Sequence, residues 1–187
     1  MRFLLLFLLL SHLCLPVSAR EIEAITLDEH ITLNGSHQLK LNGAGIRSKF
    51  FFKIYIGALY VSQPVLNTTE QVLADPKAKR MLMHFLYDEV SKEKLNAGWQ
   101  DGFAYNLDEK DFATLKARLE TFKSYFQTVK KGDVIFLDYI PGHGTKVTIN
   151  AEEKGSITGN DFHQALMKVW LGEEPADWGL KDALLGQ

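Results

Sequence analysis

Between Lys49 and Val61 the chain reads KFFFKIYIGALYV, a run built almost wholly from aromatic, β-branched and aliphatic residues. Such residues fit a pleated, half-buried surface, so the run commits the chain to a sheet. Its length predicts one long strand from about Lys49 to Val61. On that strand Phe50, Phe52, Ile54, Ile56, Ala58 and Tyr60 share one face, and Phe51, Lys53, Tyr55, Gly57 and Leu59 the other.

Just ahead of the run, after the close pair Gly43 and Gly45, stands Arg47. A guanidinium keeps its charge in a protein, and burying it without a partner is costly. On an unbulged strand it shares a face with Lys49, Phe51, Lys53 and Tyr55. Cations and a phenol among apolar groups suit a small, mostly apolar ligand with one acidic end. The same spacing also suits an arginine at a strand start that is solvated or paired with a nearby acid. Spacing alone leaves both readings open.

The rest of the chain supplies partners for the strand. Alternation predicts short strands at Ile31–Leu33 and Leu39–Leu41 around an Asn34-Gly35 turn. Pro64 stops the long strand, and Thr68 or Thr69 caps a short helix through Ala74. Lys79–Tyr87 reads as a further strand. Ser91 and Asp108 cap two helices with apolar stripes, Leu95, Trp99, Phe103 on the first and Phe112, Leu115, Leu119, Phe122 on the second. Strands at Asp133–Ile140 and Thr145–Ala151 flank the turn Pro141-Gly142-His143-Gly144. Helices from Asn160 to Leu171 and from Pro175 to about Leu185 close the chain. Strands, then helices, a hairpin and helices again imply an α+β domain with an antiparallel sheet.

Residues 1–19 read as an export signal rather than structure: Arg2, a short apolar run from Phe3 to Leu15, and Val17-Ser18-Ala19 as a small-residue cleavage site. The apolar run is short for a bilayer span, so no stable membrane span is expected after cleavage. The single cysteine, Cys14, lies inside this segment. Residues 20–187 then form one domain without disulfide, thiol nucleophile or thiolate metal site. A formal net charge of −2 with no basic block gives no electrostatic argument for nucleic acid.

Other chemistries fail on pattern. Gly43-Ala44-Gly45 begins like a dinucleotide fingerprint but lacks the final glycine and the helix that should follow. There is no G-x-S-x-G elbow. Asp88 and Glu89 are adjacent and point apart, which does not make a glycosidase pair. No histidine pair has metal-ligand spacing, so neither metal nor cofactor is expected. His84 reads as a strand histidine, His143 as a solvated turn residue, and Trp99, Trp170 and Trp178 as core. Asn34 and Asn67 head sequons that read as turn chemistry.

The segment Gly43, Gly45, Arg47, Lys53, Tyr55, Gly57, Ala58, Tyr60, together with GSITGNDFHQALMKVWLG at Gly155–Gly172, resembles the chalcone isomerase-like superfamily, most closely its secreted bacterial branch. The resemblance implies an open-faced antiparallel sheet with helices packed over one face. It also implies a glycine-rich turn leading to Arg47, and a cleft that Arg47 lines. In the isomerases that arginine stabilises developing negative charge, assisted by a threonine, a tyrosine and an asparagine. Here Tyr55 stands at the threonine position, no tyrosine stands near Val90, Asn96 matches the asparagine, and His163 replaces a Ser/Thr near the closing helix. A phenol at Tyr55 fills space that a two-ring substrate uses, which argues against chalcone isomerisation. Fatty-acid-binding members keep the arginine with a nearby tyrosine to grip a carboxylate. The resemblance therefore implies a small apolar or carboxylate-bearing ligand held by Arg47 and Tyr55, with Asn96 and His163 as further lining. Two alternatives remain: an intramolecular lyase or isomerase using Arg47 and Tyr55 as catalytic residues, and a partner-binding module with a vestigial cleft. With the export signal, the resemblance implies a periplasmic protein.

Overall fold

The computed structural model describes residues 19–62 and 65–187; all of the expected export signal except Ala19, and the strand stop at Pro64, lie outside the described residues. Strands β1 (Ala19–Ile22) and β2 (Ile25–Asp28) form a separate ribbon. Then follow β3 (His30–Leu33), β4 (His37–Lys49), β5 (Phe52–Val61), α1 (Thr69–Ala74) and β6 (Lys79–Phe85). The middle holds β7 (Glu89–Val90), α2 (Lys92–Asn106), α3 (Glu109–Ser124) and β8 (Val129–Lys130). The chain ends with β9 (Val134–Ile140), β10 (Gly144–Ile149), β11 (Glu152–Ile157), α4 (Asn160–Leu171) and α5 (Trp178–Leu184). Seven strands form one antiparallel sheet in the order β11-β10-β9-β6-β5-β4-β3, and β7 pairs with β8. This is the α+β, open-sheet architecture that the sequence implies.

Helix starts follow local chemistry. Thr68, Ser91, Asp108 and Asp177 each accept a hydrogen bond from a backbone N–H in the first turn of the helix that they cap. All five helices bury their apolar residues against one face of the sheet. That core joins Tyr55, Leu59, Met81, Met83, Phe85, Ile135 and Leu137 of the strands to Trp99, Phe122, Phe162, Trp170 and Leu180 of the helices. Helix α4 runs through its centre with eight buried side chains, so it is apolar nearly all round. A smaller core on the opposite face packs Leu27 and the β1–β2 ribbon against Leu39, Leu41, Ile56, Ala58 and Tyr60.

The long strand read from Lys49 to Val61 is in fact two strands meeting at a tight turn. Phe50 and Phe51 form that turn, Phe50 has φ +56°, and Lys49 pairs with Phe52. Arg47 therefore does not share a strand with Tyr55; it lies on β4, directly opposite Tyr55 on β5. The glycines ahead of it are not in a turn either. Gly43 and Gly45 sit within β4 where α5 crosses the sheet: a Cβ on Gly43 would strike the Ala183 carbonyl oxygen, and one on Gly45 would lie 2.6 Å from Ala183 Cβ. Hydrogen is the only side chain that lets this helix approach. Just ahead of them in sequence, buried Asn42 fixes the helix end. Its amide nitrogen donates to the Leu184 and Leu66 carbonyls at 2.8 Å each, and its Oδ1 accepts from Leu66 N at 2.7 Å.

Three smaller boundaries also differ. The strand from Lys79 stops at Phe85 rather than Tyr87. β10 ends before Asn150 and Ala151, which take φ +50° and +67° and turn the chain into β11. The last helix begins at Trp178, three residues after Pro175.

Candidate functional site

Arg47 and Tyr55 meet across β4 and β5, with the guanidinium carbon 5.6 Å from the phenol ring centre. An extra residue in β5 sets this geometry. Register shifts between Arg47 and Ser48, so Ser48 faces Lys53, Arg47 faces Tyr55 and Ile54 bulges. The Ile54 carbonyl accepts from both Leu86 N and Tyr87 N, at 2.9 and 3.2 Å, which locks the bulge to the loop after β6. Just beyond Arg47, Asp177 ties β4 to α5: Oδ2 accepts from Ser48 N and Oδ1 from Leu180 N, both at 2.9 Å.

Arg47 is half-buried, and its Nε is shut off from solvent without a hydrogen-bond partner. It makes no ion pair among the described residues. Tyr55 is 4% exposed, and its oxygen accepts a hydrogen bond from Trp170 Nε1 at 2.8 Å. That bond leaves the phenol proton available to donate. Burial pushes the Tyr55 pKa up; Arg47 and the Trp170 bond pull it back in part, and Asp177 adds to the rise. The phenol stays neutral at physiological pH. Arg47 and Tyr55 together offer donors, and donors suit a carboxylate or carbonyl oxygen.

A row of side chains leads inward from this pair. Trp170 on α4 meets Trp99 on α2 edge-to-face at 5.7 Å. Trp99 Nε1 is buried without a partner, and so is Oδ1 of Asn96, one helical turn earlier on the same side of α2. Asn96 thus shares a side of α2 with Trp99 and makes no hydrogen bond to Arg47 or Tyr55 among the described residues. Trp99 and Trp170 were legible as core, which they are, and the polar indole N–H of each was the overlooked signal. Trp178, read as core from the same spacing, is instead 59% exposed, because it opens the first turn of α5 on the side away from the sheet that Leu180 and Leu184 cover.

His163 does not join that row. It lies two turns before Trp170 on α4, over the opposite end of the sheet. Its Nδ1 is 3.2 Å from Thr145 Oγ1, and its ring stacks on Tyr139 at 4.4 Å and 20°. Tyr139 pairs with Lys79 at one end of β6, whereas Tyr55 pairs with Phe85 at the other, roughly 20 Å away at strand rise. Burial, aided by the Lys79 charge, drives the His163 pKa well below the usual imidazole range. Lys79 is itself buried and lowered to about 8 by desolvation, with its ammonium donating to the Asp75 and Lys77 carbonyls.

Two open grooves, about 430 and 460 Å³, run along α4 beside α1 and the α2–α3 junction, and neither includes Arg47 or Tyr55. Between sheet and helices the space behind Tyr55 is filled by Trp99, Phe122, Phe126, Phe162 and Trp170. Among the described residues no cluster of three acid, histidine or cysteine groups could hold a metal, and no helix is long and apolar enough to cross a membrane.

A sequence model described as chalcone isomerase-like matches residues 19–186. The chain belongs to this family. The likeness extends to solved structures: a crystal structure of a fatty-acid binding protein from Arabidopsis thaliana superposes with a TM-score of 0.69 at 15% identity, covering 90% of this chain and 96% of that one. At that identity the likeness establishes a shared chalcone isomerase-like fold. No curated protein matches the chain.

Proposed function

We propose that this chalcone isomerase-like protein is a non-catalytic carrier or receptor for a small, mostly apolar ligand with an acidic or carbonyl end, fatty-acid-like in character. The buried, unpartnered Nε of Arg47 beside the neutral Tyr55 phenol carries the reading. An arginine held in that state is poised for an oxygen acid supplied from outside the chain. The fatty-acid binding of the Arabidopsis protein with this fold supports the same ligand class. The apolar part of the ligand would lie toward the Trp170–Trp99 row, displacing aromatic side chains that fill the interior, with Asn96 at its far end.

The lyase or isomerase alternative needs a proton acceptor beside Arg47. Tyr55 is a donor at physiological pH, and His163, the other candidate, lies at the far end of the sheet. Both placements favour binding over proton transfer. Residues 1–19 would direct the chain to the periplasm and be removed there, which N-terminal sequencing of the recovered protein tests directly.

Calorimetric titration with a long-chain fatty acid tests the binding role. Arg47→Ala should weaken binding by about ten- to a hundredfold, the range for a lost charge-assisted hydrogen bond, while Arg47→Lys recovers part of it. Equal affinity in wild type and Arg47→Ala would remove the reading.

A further inference from the structure

The turn between β4 and β5 exposes three consecutive phenylalanines. Phe50, Phe51 and Phe52 are 86%, 99% and 55% exposed. Only Phe52 has an aromatic neighbour, Tyr87, edge-on at 5.4 Å. Phe50 also adopts φ +56°, a conformation that glycine or asparagine takes with less strain. A solvated turn gains nothing from phenylalanine at these positions, and the core does not use them. Strain and exposed apolar surface kept together at one tip point to a use outside the fold.

The surroundings say what would meet the tip. Trp178, 59% exposed, follows Asp177, whose carboxylate holds Ser48 N at the root of the same hairpin. Lys49 flanks the turn on one side and Lys53 on the other; Lys181 lies 4.9 Å from the Trp178 ring. Of the acids nearest the hairpin, Glu23 pairs with Lys53 at 2.6 Å and Asp177 accepts two backbone N–H groups; Asp88 and Glu89 are exposed on the loop after β6, where Glu89 is the cross-strand neighbour of Lys130. Lys49 has no acidic partner among the described residues. Successive residues at a two-residue turn project to different sides of the hairpin. That makes a wedge, which suits a deformable interface better than the single flat face of a protein partner.

We infer that the Phe50–Phe52 hairpin tip is a membrane-docking wedge that inserts into the surface of a bilayer carrying anionic headgroups, with Trp178 at the interface and Lys49 on the headgroups. Aromatic side chains favour that depth, and basic residues beside them add attraction to negative lipid. The inference stands on the hairpin and not on the ligand reading. Arg47 lies three residues from the tip, so a docked hairpin would bring it near the lipid from which an apolar acid would come.

The test uses protein recovered from cells expressing all 187 residues. Its readout is flotation with vesicles of phosphatidylcholine containing phosphatidylglycerol, and with phosphatidylcholine alone. Phe51→Asp and Phe50→Asn/Phe51→Ser change solvated positions, and thermal melts check that they fold. Wild type should float with the anionic vesicles, and each variant should lose at least about tenfold in partitioning, the effect of leaving one phenylalanine in water. Hydrogen exchange read with and without vesicles should slow in peptides covering residues 48–53, whatever the N-terminus does. Equal partitioning of wild type and variants with no slowing over 48–53 would overturn the inference. So would variants that abolish only self-association or retention of another protein.

Discussion

The indole N–H of Trp170 donates to the phenol oxygen of Tyr55 at 2.8 Å, joining the central helix to the strand that faces Arg47. The bond sits in the helix-covered core, where a lost partner is not replaced by solvent. It holds Tyr55 in place and leaves the phenol proton free for the side where Arg47 stands.

Tyr55→Phe should therefore destabilise the fold by about 1–3 kcal/mol, because it leaves the Trp170 N–H buried and unpaired. Trp170→Phe should cost at least as much, since it also leaves a cavity. In urea unfolding the double variant should lose less than the sum of the two. Strict additivity would mean that the bond contributes nothing to stability.

Glycines in two settings should respond with opposite signs. Gly45→Ala places a methyl 2.6 Å from Ala183 Cβ and should cost about 1–3 kcal/mol by forcing α5 off the sheet. Gly98→Ala on α2 meets nothing within 4 Å and should stabilise by about 0.5–1 kcal/mol. Thermal melts of both variants check this, and a neutral Gly45→Ala would contradict the packing of α5.

Much of this was legible in the sequence, and the failures have physical causes. Caps at Thr68, Ser91 and Asp108 are chemical signals, and they stand where expected. The Asn34-Gly35 turn was visible because both residues tolerate positive φ, which they adopt at 51° and 71°. The Phe50-Phe51 turn was invisible because it uses strand-forming residues where turn residues belong. Arg47 and Tyr55 were thus identified as a pair for the wrong geometric reason: they face each other across a hairpin rather than line one side of a strand. β11 was missed because EEKGSI keeps only Ile157 buried and shows no apolar alternation. The β1–β2 ribbon turns at Glu23 and Ala24, again without glycine or asparagine. His163 could not be placed from its sequence neighbours, because its surroundings come from β6, β9 and β10.

His163 gives the fold a definite acid response. Its folded pKa lies well below the ordinary 6.5, so below that pH the unfolded chain binds a proton that the folded chain refuses. Stability should hold above about pH 6.5 and fall as pH drops beneath it, by up to about 1.4 kcal/mol per pH unit from this one group. Chemical denaturation between pH 5 and 7.5 measures the slope, which His163→Gln should reduce. An unchanged slope would show that His163 is not held neutral.

The central claim is that Arg47 receives the polar end of a bound ligand. Native mass spectrometry of the protein recovered from expressing cells, beside Arg47→Ala, tests it most directly. The account predicts a small organic acid bound to the wild type and absent from a variant that melts like the wild type. The same bound mass in both proteins, or a variant that cannot fold, would contradict it and make Arg47 a structural residue.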